Sequence, residues 1–519
     1  MRSWVLRRAL AWAMKSAHLG DKLRRWWSWR RAIPSYHEML AQDELLVEDG
    51  PMPGEGLITV AMPVFRVAEG HLRAAIASVA AQTWPDWELV AVDDASPDPH
   101  VARVLAEAAA DPRNLVVKRP SNGGISRASN DAVAAARGEF VAFLDHDDTL
   151  HPRALELAAR CLARHPDTDW LFTDEDRIDE RGRHSQPLLK PGWSRHLLLA
   201  FNLVTHLRVV RRSMIERVGG HRAGYEGAQD YDLALRVLAA GGRFRHLPGP
   251  LYHWRAVRGS MARVAAAKPE ANGRALAALA EHARGFPHGG AVRAEELVGT
   301  ASLFRVRRAA DSGTSVAVAT TGRMSFELTR CGQHEASSLS VSDTSPGTLV
   351  AAVRRSGADV VIVPPATGLG ADQVAELLAL LQVPDTGAVC GRLVRGGRVA
   401  SSGWVVTETG ETRDPWAGLR LSDPGYLNLA LLPGRRAVQP PCGWAAWREQ
   451  LLAAWDAAEG VPDPWRLAVG WARLGLEVVA TPEVSVAAEA AAISPPSGDP
   501  PDGLPRTRCA GLARLGLLP

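Results

Sequence analysis

The sequence predicts an α/β fold: an open, largely parallel sheet with helices on both faces, followed by a second, shortened α/β unit. Three observations predict it. From about residue 56 short apolar runs alternate with helical patterns, a polar cluster follows the carboxyl end of each run, and the strand, helix, strand order returns after residue 314. With 519 residues there is room for two or three domains, and 46% apolar with 23% charged residues excludes wholesale disorder. The expected divisions are an N-terminal segment 1–55, a first α/β domain 56–290, a linker 291–313, a second α/β domain 314–485 and a Pro/Gly-rich tail 486–519.

The N-terminal segment is basic and rich in tryptophan. Residues 1–31 carry nine Lys/Arg against the single acid Asp21, which leaves 51 basic and 56 acidic residues for the remainder. The body therefore has no bulk basic character, and nucleic acid is not an expected partner. Val5, Leu6, Ala9, Leu10, Trp12, Ala13 and Ala17 share one helical face opposite Arg7, Arg8, Lys15 and His18. The apolar run at 9–14 is far short of the ~20 residues that a membrane span needs. A basic amphipathic helix followed by Trp26, Trp27 and Trp29 suits an anionic membrane surface; the alternative is a helix packed on the domain that follows. Five cysteines, Cys161, Cys331, Cys390, Cys442 and Cys509, form no C-x-x-C pair, as expected of a reduced, cytosolic chain without a zinc site or disulfide framework.

In the first domain the runs 57–65, 87–92, 115–118 and 140–144 read as strands, with helices over 72–81, 101–110 and from the 122–126 turn to Arg137. In open α/β sheets the ligand crevice lies along the carboxyl edge of the strands. Pro63, Asp93, Asp94, the turn Asn122-Gly123-Gly124 and the acids Asp145, Asp147 and Asp148 are thereby gathered into one cleft. Three carboxylates at the mouth of one strand repel each other unless a cation sits among them, so a divalent metal with oxygen ligands is expected; a helix cap at Asp148 or Thr149 would account for one acid only. Asp94 could instead form an Asx-turn into Ser96-Pro97, and Asp174-Glu175-Asp176 read as a solvated turn, the alternative being a contact to acceptor or metal. No G-x-G-x-x-G follows the first strand, which argues against a dinucleotide.

Six motifs in order, VAMPVF at 60–65, AQTWPDWELVAVDDAS at 81–96, NGGISRASN at 122–130, FVAFLDHDD at 140–148, TDEDRID at 173–179 and GAQDYDLALRV at 227–237, resemble the family 2 glycosyltransferases of the GT-A fold, in the branch that builds bacterial O-antigen and other surface polysaccharides. The resemblance implies a nucleotide-sugar donor, by family habit a UDP-sugar, with Asp94 reading the base and the backbone at Pro63 lining the same pocket. It implies a D-x-D motif at Asp145 and Asp147, the first near the ribose and the second on Mg²⁺ or Mn²⁺. It implies Asp230 as the base that deprotonates an acceptor hydroxyl, on a glycan or lipid-linked glycan, and His253 as a late ligand to metal or diphosphate. Gln229 stands where the family more often has Glu. Bland alternatives exist for two of these residues: Asp230 is placed where acids also serve as helix caps, and a lone histidine beside Trp254 is often merely packed.

The second domain repeats the first without the acids of the 145–148 turn. Strand 358–363 runs into Pro364-Pro365 where the first domain has Asp145 to Asp148, helix 371–381 and Asp385-Thr386 match 154–163 and Asp167-Thr168, and 476–482 echoes 244–248. A degenerate, non-catalytic GT-A-like domain is expected. Two rival functions are a sugar nucleotidyltransferase, which would need a glycine-rich basic loop after the first strand where Pro63-Val64-Phe65-Arg66 stands, and a non-catalytic partner in glycan assembly.

Overall fold

A computed structural model describes residues 36–42, 46, 50–255, 260–285, 292–296, 302–308, 314–321, 330–331, 334–341, 345–364, 369–403, 405–407, 412–414, 416–417, 419, 434–436, 444–461, 463–487, 500 and 506–507. The basic segment 1–31 lies outside the described residues. No helix among the described residues is long and apolar enough to cross a membrane.

The first unit is built on strands β1 (Ile58–Val64), β2 (Trp87–Asp93), β3 (Asn114–Lys118), β4 (Phe140–Phe143), β5 (Thr149–Leu150), β6 (Trp170–Ile178), β7 (His184–Leu188), β8 (Arg208–Arg211) and β9 (Phe244–Arg255). They form one sheet in the order β3-β2-β1-β4-β8-β6-β9-β5, with β7 beside β6. The first four in that order are mutually parallel, whereas β8 runs antiparallel to both β4 and β6. Every residue of β1, β2 and β4 is buried, as continuous apolar strands covered on both faces must be. Alternation along β1 sends Val60, Met62 and Val64 to one core, with Leu72, Ala75 and Val79 of helix α1 (Glu69–Ala80), and Ala61 to the other. Helices α2 (Pro99–Ala108), α3 (Ile125–Ala135), α4 (Ala154–Arg164), α5 (Arg195–Ala200), α6 (Arg212–Arg217), α7 (Gln229–Ala239) and α8 (Ser260–Arg284) complete the unit.

In the second unit the strands run in the order 334–341, 316–321, 360–363, 444–447, 386–395, 477–487. Strand for strand this repeats β2-β1-β4-β8-β6-β9, with the same parallel pairs and the same antiparallel insertion in the middle. The expected α/β architecture, a GT-A domain followed by a shortened GT-A-like one, is the one observed. Between the units, Val292–Glu296 and Phe304–Arg308 pair as an antiparallel hairpin, and Phe304 belongs to the core of the first unit. A cavity of about 350 Å³ at the junction is lined by Asp167, Trp193, Arg195, Arg243, Phe244 and Asp385. It opens at the starts of β6 and β9, on the edge of the sheet opposite the acids.

One sequence expectation is overturned. Asp174, Glu175 and Asp176 are not a solvated turn but lie buried within β6. Each carboxylate has its own partners, which is what permits the burial: Asp174 accepts from Lys190 N–H at 2.7 Å and Gly249 N–H at 2.8 Å and pairs with His246 at 2.8 Å.

Candidate active site

The acids after β4 divide into two kinds. Asp148 is 1% exposed and structural. Its Oδ2 accepts from Tyr252 Oη at 2.6 Å and its Oδ1 from Arg255 N–H at 2.7 Å, fastening the 145–148 turn to β9. It does not cap α4, whose cap position is Arg153. Burial first, then the charges of Asp145 and Asp147, push the Asp148 carboxyl well above its ordinary range.

Asp145 and Asp147 stand on the open side of this turn. The Asp145 carboxylate is 36% exposed, with Oδ2 3.9 Å from His206 Nε2, and the Asp147 carboxylate has no ion pair among the described residues. Arg255 reaches the turn but spends its Nε–H on the Asp147 carbonyl at 2.7 Å. Two such carboxylates, beside a third whose proton affinity they raise, are hard oxygen donors on the open side of one turn. These residues fit Mg²⁺ or Mn²⁺.

His253 is turned elsewhere. Along β9, Tyr252 faces Asp148 and stacks on His206 at 4.5 Å, so the next side chain points to the other face. There His253 Nδ1 meets Asp176 Oδ1 at 2.7 Å, while Asp176 Oδ2 pairs with His184 Nδ1 at 2.7 Å and accepts from Tyr36 Oη at 2.5 Å. Asp176, His184 and His253 could themselves surround a metal ion.

The V-D-D motif also separates. Asp93, not Asp94, bonds toward Ser96: its Oδ1 accepts the N–H of Ser96, three residues on, at 2.9 Å, so neither forms the expected Asx-turn. Asp94 instead anchors the loop before α3. Its Oδ1 takes Arg119 Nη1 at 2.6 Å and Gly123 N–H at 2.8 Å, and its Oδ2 takes Asn122 Nδ2 at 2.9 Å and Gly124 N–H at 2.8 Å. Gly124 has φ +84, which a side chain would strain. Pro63 contributes its carbonyl, 2.9 Å from His146 Nδ1 in the D-x-D turn.

Asp230 lies in the first turn of α7, 17% exposed. Its Oδ2 accepts from Asn202 Nδ2 at 3.0 Å and lies 3.8 Å from Arg208 Nη1, and its Oδ1 accepts from Tyr231 N–H at 2.9 Å. Arg208 in turn lies 4.9 Å over the Phe143 ring at the end of β4. The β4–β8 pairing thus brings Asp230 to the rim that bears Asp145 and Asp147.

Several site residues were not anticipated. Glu175, His206 and Lys190 form a buried ionic group directly behind Asp145: His206 Nδ1 is 3.3 Å and Lys190 Nζ 3.6 Å from Glu175 Oε2. Burial would raise the Glu175 pKa, but the Lys190 and His206 charges outweigh it and hold the carboxyl at about 2. Burial lowers the Lys190 pKa; for His206 the Glu175 charge overcomes burial and raises it. Their spacing in the chain, between 15 and 31 residues, carries no local signal.

Residues 59–219 match Glycosyl transferase family 2. Over 239 residues the chain is 44% identical to uncharacterized protein y4gI of Sinorhizobium fredii, covering 46% of this chain and 26% of that protein. Over 227 residues it is 43% identical to the O-antigen biosynthesis protein RfbC of Myxococcus xanthus, covering 44% of this chain and 18% of the relative. The chain thus spans about a quarter or less of the length of these two relatives. Among solved structures, S. aureus TarS 1–349 in complex with UDP is similar at a TM-score of 0.36 and 20% identity, covering 44% of this chain and 65% of that one. The sheet and the match over residues 59–219 mark the first domain as a GT-A-type transferase domain. That domain belongs to the family 2 glycosyltransferases.

Proposed function

We propose that the first domain moves a sugar from a nucleotide-diphosphate donor, a UDP-sugar, to a hydroxyl of a glycan or lipid-linked glycan acceptor with inversion at the anomeric carbon. The observation that carries this reading is the convergence of Asp145, Asp147 and Asp230 on one rim, next to the loop that Asp94 organises. The likeness to the O-antigen biosynthesis protein RfbC supports placing the reaction in surface polysaccharide assembly.

Asp145 and Asp147 would hold Mg²⁺ or Mn²⁺, which when bound neutralises charge on the departing diphosphate. The 122–124 turn, held by Asp94, offers the nucleoside a wall of backbone and the Asn122 side chain. Asp230 accepts the acceptor hydroxyl proton as the acceptor oxygen forms its bond to the anomeric carbon and the bond to the phosphate oxygen breaks opposite it. Asn202 and the Tyr231 N–H hold one lone pair on each Asp230 oxygen and so set its direction. His253 acts through Asp176 in supporting β6 and β9 rather than at the D-x-D turn. Residues 1–31 seat the enzyme on the cytoplasmic face of an anionic membrane, where a lipid-linked acceptor is presented.

The test is release of nucleoside diphosphate from a panel of nucleotide sugars with Mn²⁺. Asp147→Ala should abolish turnover and Asp230→Asn should stop transfer while sparing donor binding; unchanged rates in both would overturn the reading. Vesicle partition with and without residues 1–50 tests the membrane seat, and equal partition would reject it.

A further inference from the structure

We infer that the second α/β unit is a positioning device for the first: it grips helix α5 and thereby sets the two groups that orient Asp230. This rests on the transferase reading above.

Helix α5 is six residues long, far too short to hold its own shape in water. Three consecutive residues at its start are bonded into the second unit. Ser194 Oγ donates to Glu477 Oε2 at 2.9 Å while accepting the Leu197 N–H as helix cap. Arg195 binds Asp385 Oδ2 through Nη2 at 2.6 Å and Nε at 3.1 Å. His196 Nε2 lies 2.8 Å from Thr386 Oγ1. Because the Thr386 hydroxyl donates to the Val383 carbonyl at 2.7 Å, its oxygen is the acceptor, and His196 must carry the proton on Nε2. Ser194, His196, Thr386 and Glu477 are all buried, so each unmade bond there would leave an unsatisfied polar group. The three acceptors cluster at the starts of two paired strands, where Thr386 stands opposite Glu477.

The other end of α5 reaches the site. The Leu198 carbonyl accepts from Tyr231 Oη at 2.6 Å, on the residue next to Asp230, and Asn202, two residues past the helix, donates to Asp230 itself at 3.0 Å. Val383 of the second unit packs in the same apolar cluster as Leu197 to Ala200 and Tyr231. Release of the Ser194–His196 grip therefore frees Leu198 and Asn202 together. None of these contacts touches Asp94, Asp145 or Asp147. The effect belongs in turnover, not in donor binding.

The experiment compares the full-length chain with the pair Thr386→Val plus Glu477→Leu, and with Val361→Ala, which weakens the second unit's core away from the interface. Below the melting transition the pair should lower kcat about 10-fold to 100-fold, the range expected when a reacting group is misplaced by about an ångström, with donor KM and uridine diphosphate binding unchanged. Val361→Ala should leave kcat alone, and restoring an acceptor with Glu477→Gln should recover part of the loss. In an Asn202→Ala background the pair should add less than it costs alone, since one of the two links, Asn202 to Asp230, is already cut and only Leu198 to Tyr231 remains. Should the pair fail to fold, Thr386→Val alone carries the same comparison. An unchanged kcat, a fall matched by Val361→Ala, or full additivity with Asn202→Ala overturns the inference. If Asp230→Asn transfers sugar normally, the transferase reading fails instead; if Asp230→Asn is dead while the pair is fully active, only the positioning role falls.

Discussion

Replacing Asp94 by asparagine separates two accounts of the V-D-D motif. The wild-type carboxylate is 4% exposed and receives four donors, two on each oxygen. An amide keeps one acceptor oxygen, so the N–H of either Gly123 or Gly124 comes to face an NH₂ group, and an unsatisfied buried donor costs about 1–3 kcal/mol. Breaking a fully buried ion pair costs about 3–5 kcal/mol, but Arg119 is 16% exposed and keeps Asp131 at 2.7 Å, so only part of that applies. The net is about 3 kcal/mol. In a domain of this size each kcal/mol moves the midpoint by roughly 2–4 °C, so Tm of the first unit should fall by about 6–12 °C. Thermal melts followed by tryptophan fluorescence measure this, alongside calorimetric titration with uridine diphosphate at a temperature where both proteins are folded. A fall below about 2 °C together with lost nucleotide affinity would refute the reasoning, because the carboxylate would then be serving the ligand and not the turn.

Asp147→Ala should abolish Mn²⁺-dependent nucleotide binding while leaving Tm equal or slightly higher, since it removes a charge that opposes ionisation of Asp148; a large loss of stability would contradict the free-carboxylate geometry. Asp232, 1% exposed and paired with both Arg222 and Arg236, should cost about 3–5 kcal/mol on replacement by alanine, read from urea unfolding, with no effect on metal binding. Acid should destabilise the first unit below about pH 6.5, because burial holds His196 and His221 neutral with pKa values of about 3. Between that value and the unfolded value near 6.5 the unfolded chain binds more protons, so stability falls as pH drops from 6.5. Each imidazole contributes a loss of about 2 kcal/mol by pH 5, opposed in part by His206, whose raised pKa stabilises the folded state on the acid side. Urea midpoints from pH 8 to 5 check it, and a flat or rising profile contradicts it.

Where the chain obeys one periodicity its structure was legible. Strand β1 begins and ends one residue inside the expected 57–65 run, β2 extends the 87–92 run by Asp93, and the second unit repeats the first as its motifs implied. Reading failed where polar residues sit inside a strand. Asp174 to Asp176 look solvated in isolation because, apart from His184 eight residues on, the partners that make burial tolerable, Lys190, His206, His246 and His253, are each 15 or more residues away. Strand β9 was hard for a related reason. Pro248, Gly249 and Pro250 interrupt the pattern, yet the strand continues through register shifts to Arg255 and delivers Tyr252 and His253 to opposite faces. Asp93 and Asp94 could not be told apart by sequence, since a side chain that accepts a backbone N–H three residues on and a loop anchor ask for the same residue type at the same strand end.

The two units show which parts of this fold are free to change. Their strand orders coincide, and so do the apolar residues that fill both faces, because those are demanded by the sheet. The loops at the carboxyl edge are not so constrained. After strand 360–363 the second unit has Pro364, buried, where the first has Leu144 followed by the acid turn, and strand 360–363 still pairs parallel with 316–321 as β4 does with β1. At the amino edge the comparison inverts. Asp167-Thr168 before β6 and Asp385-Thr386 before and at the start of strand 386–395 occupy matching places, but the first pair braces its own unit, through Arg243 to Asp167 and Arg245 to Thr168, while the second reaches across to Arg195 and His196. Interface contacts at that edge are present in a unit whose strand 360–363 is followed by no acid turn. That is the pattern expected when the scaffold is kept for what it holds in place, with the chemistry left to the partner.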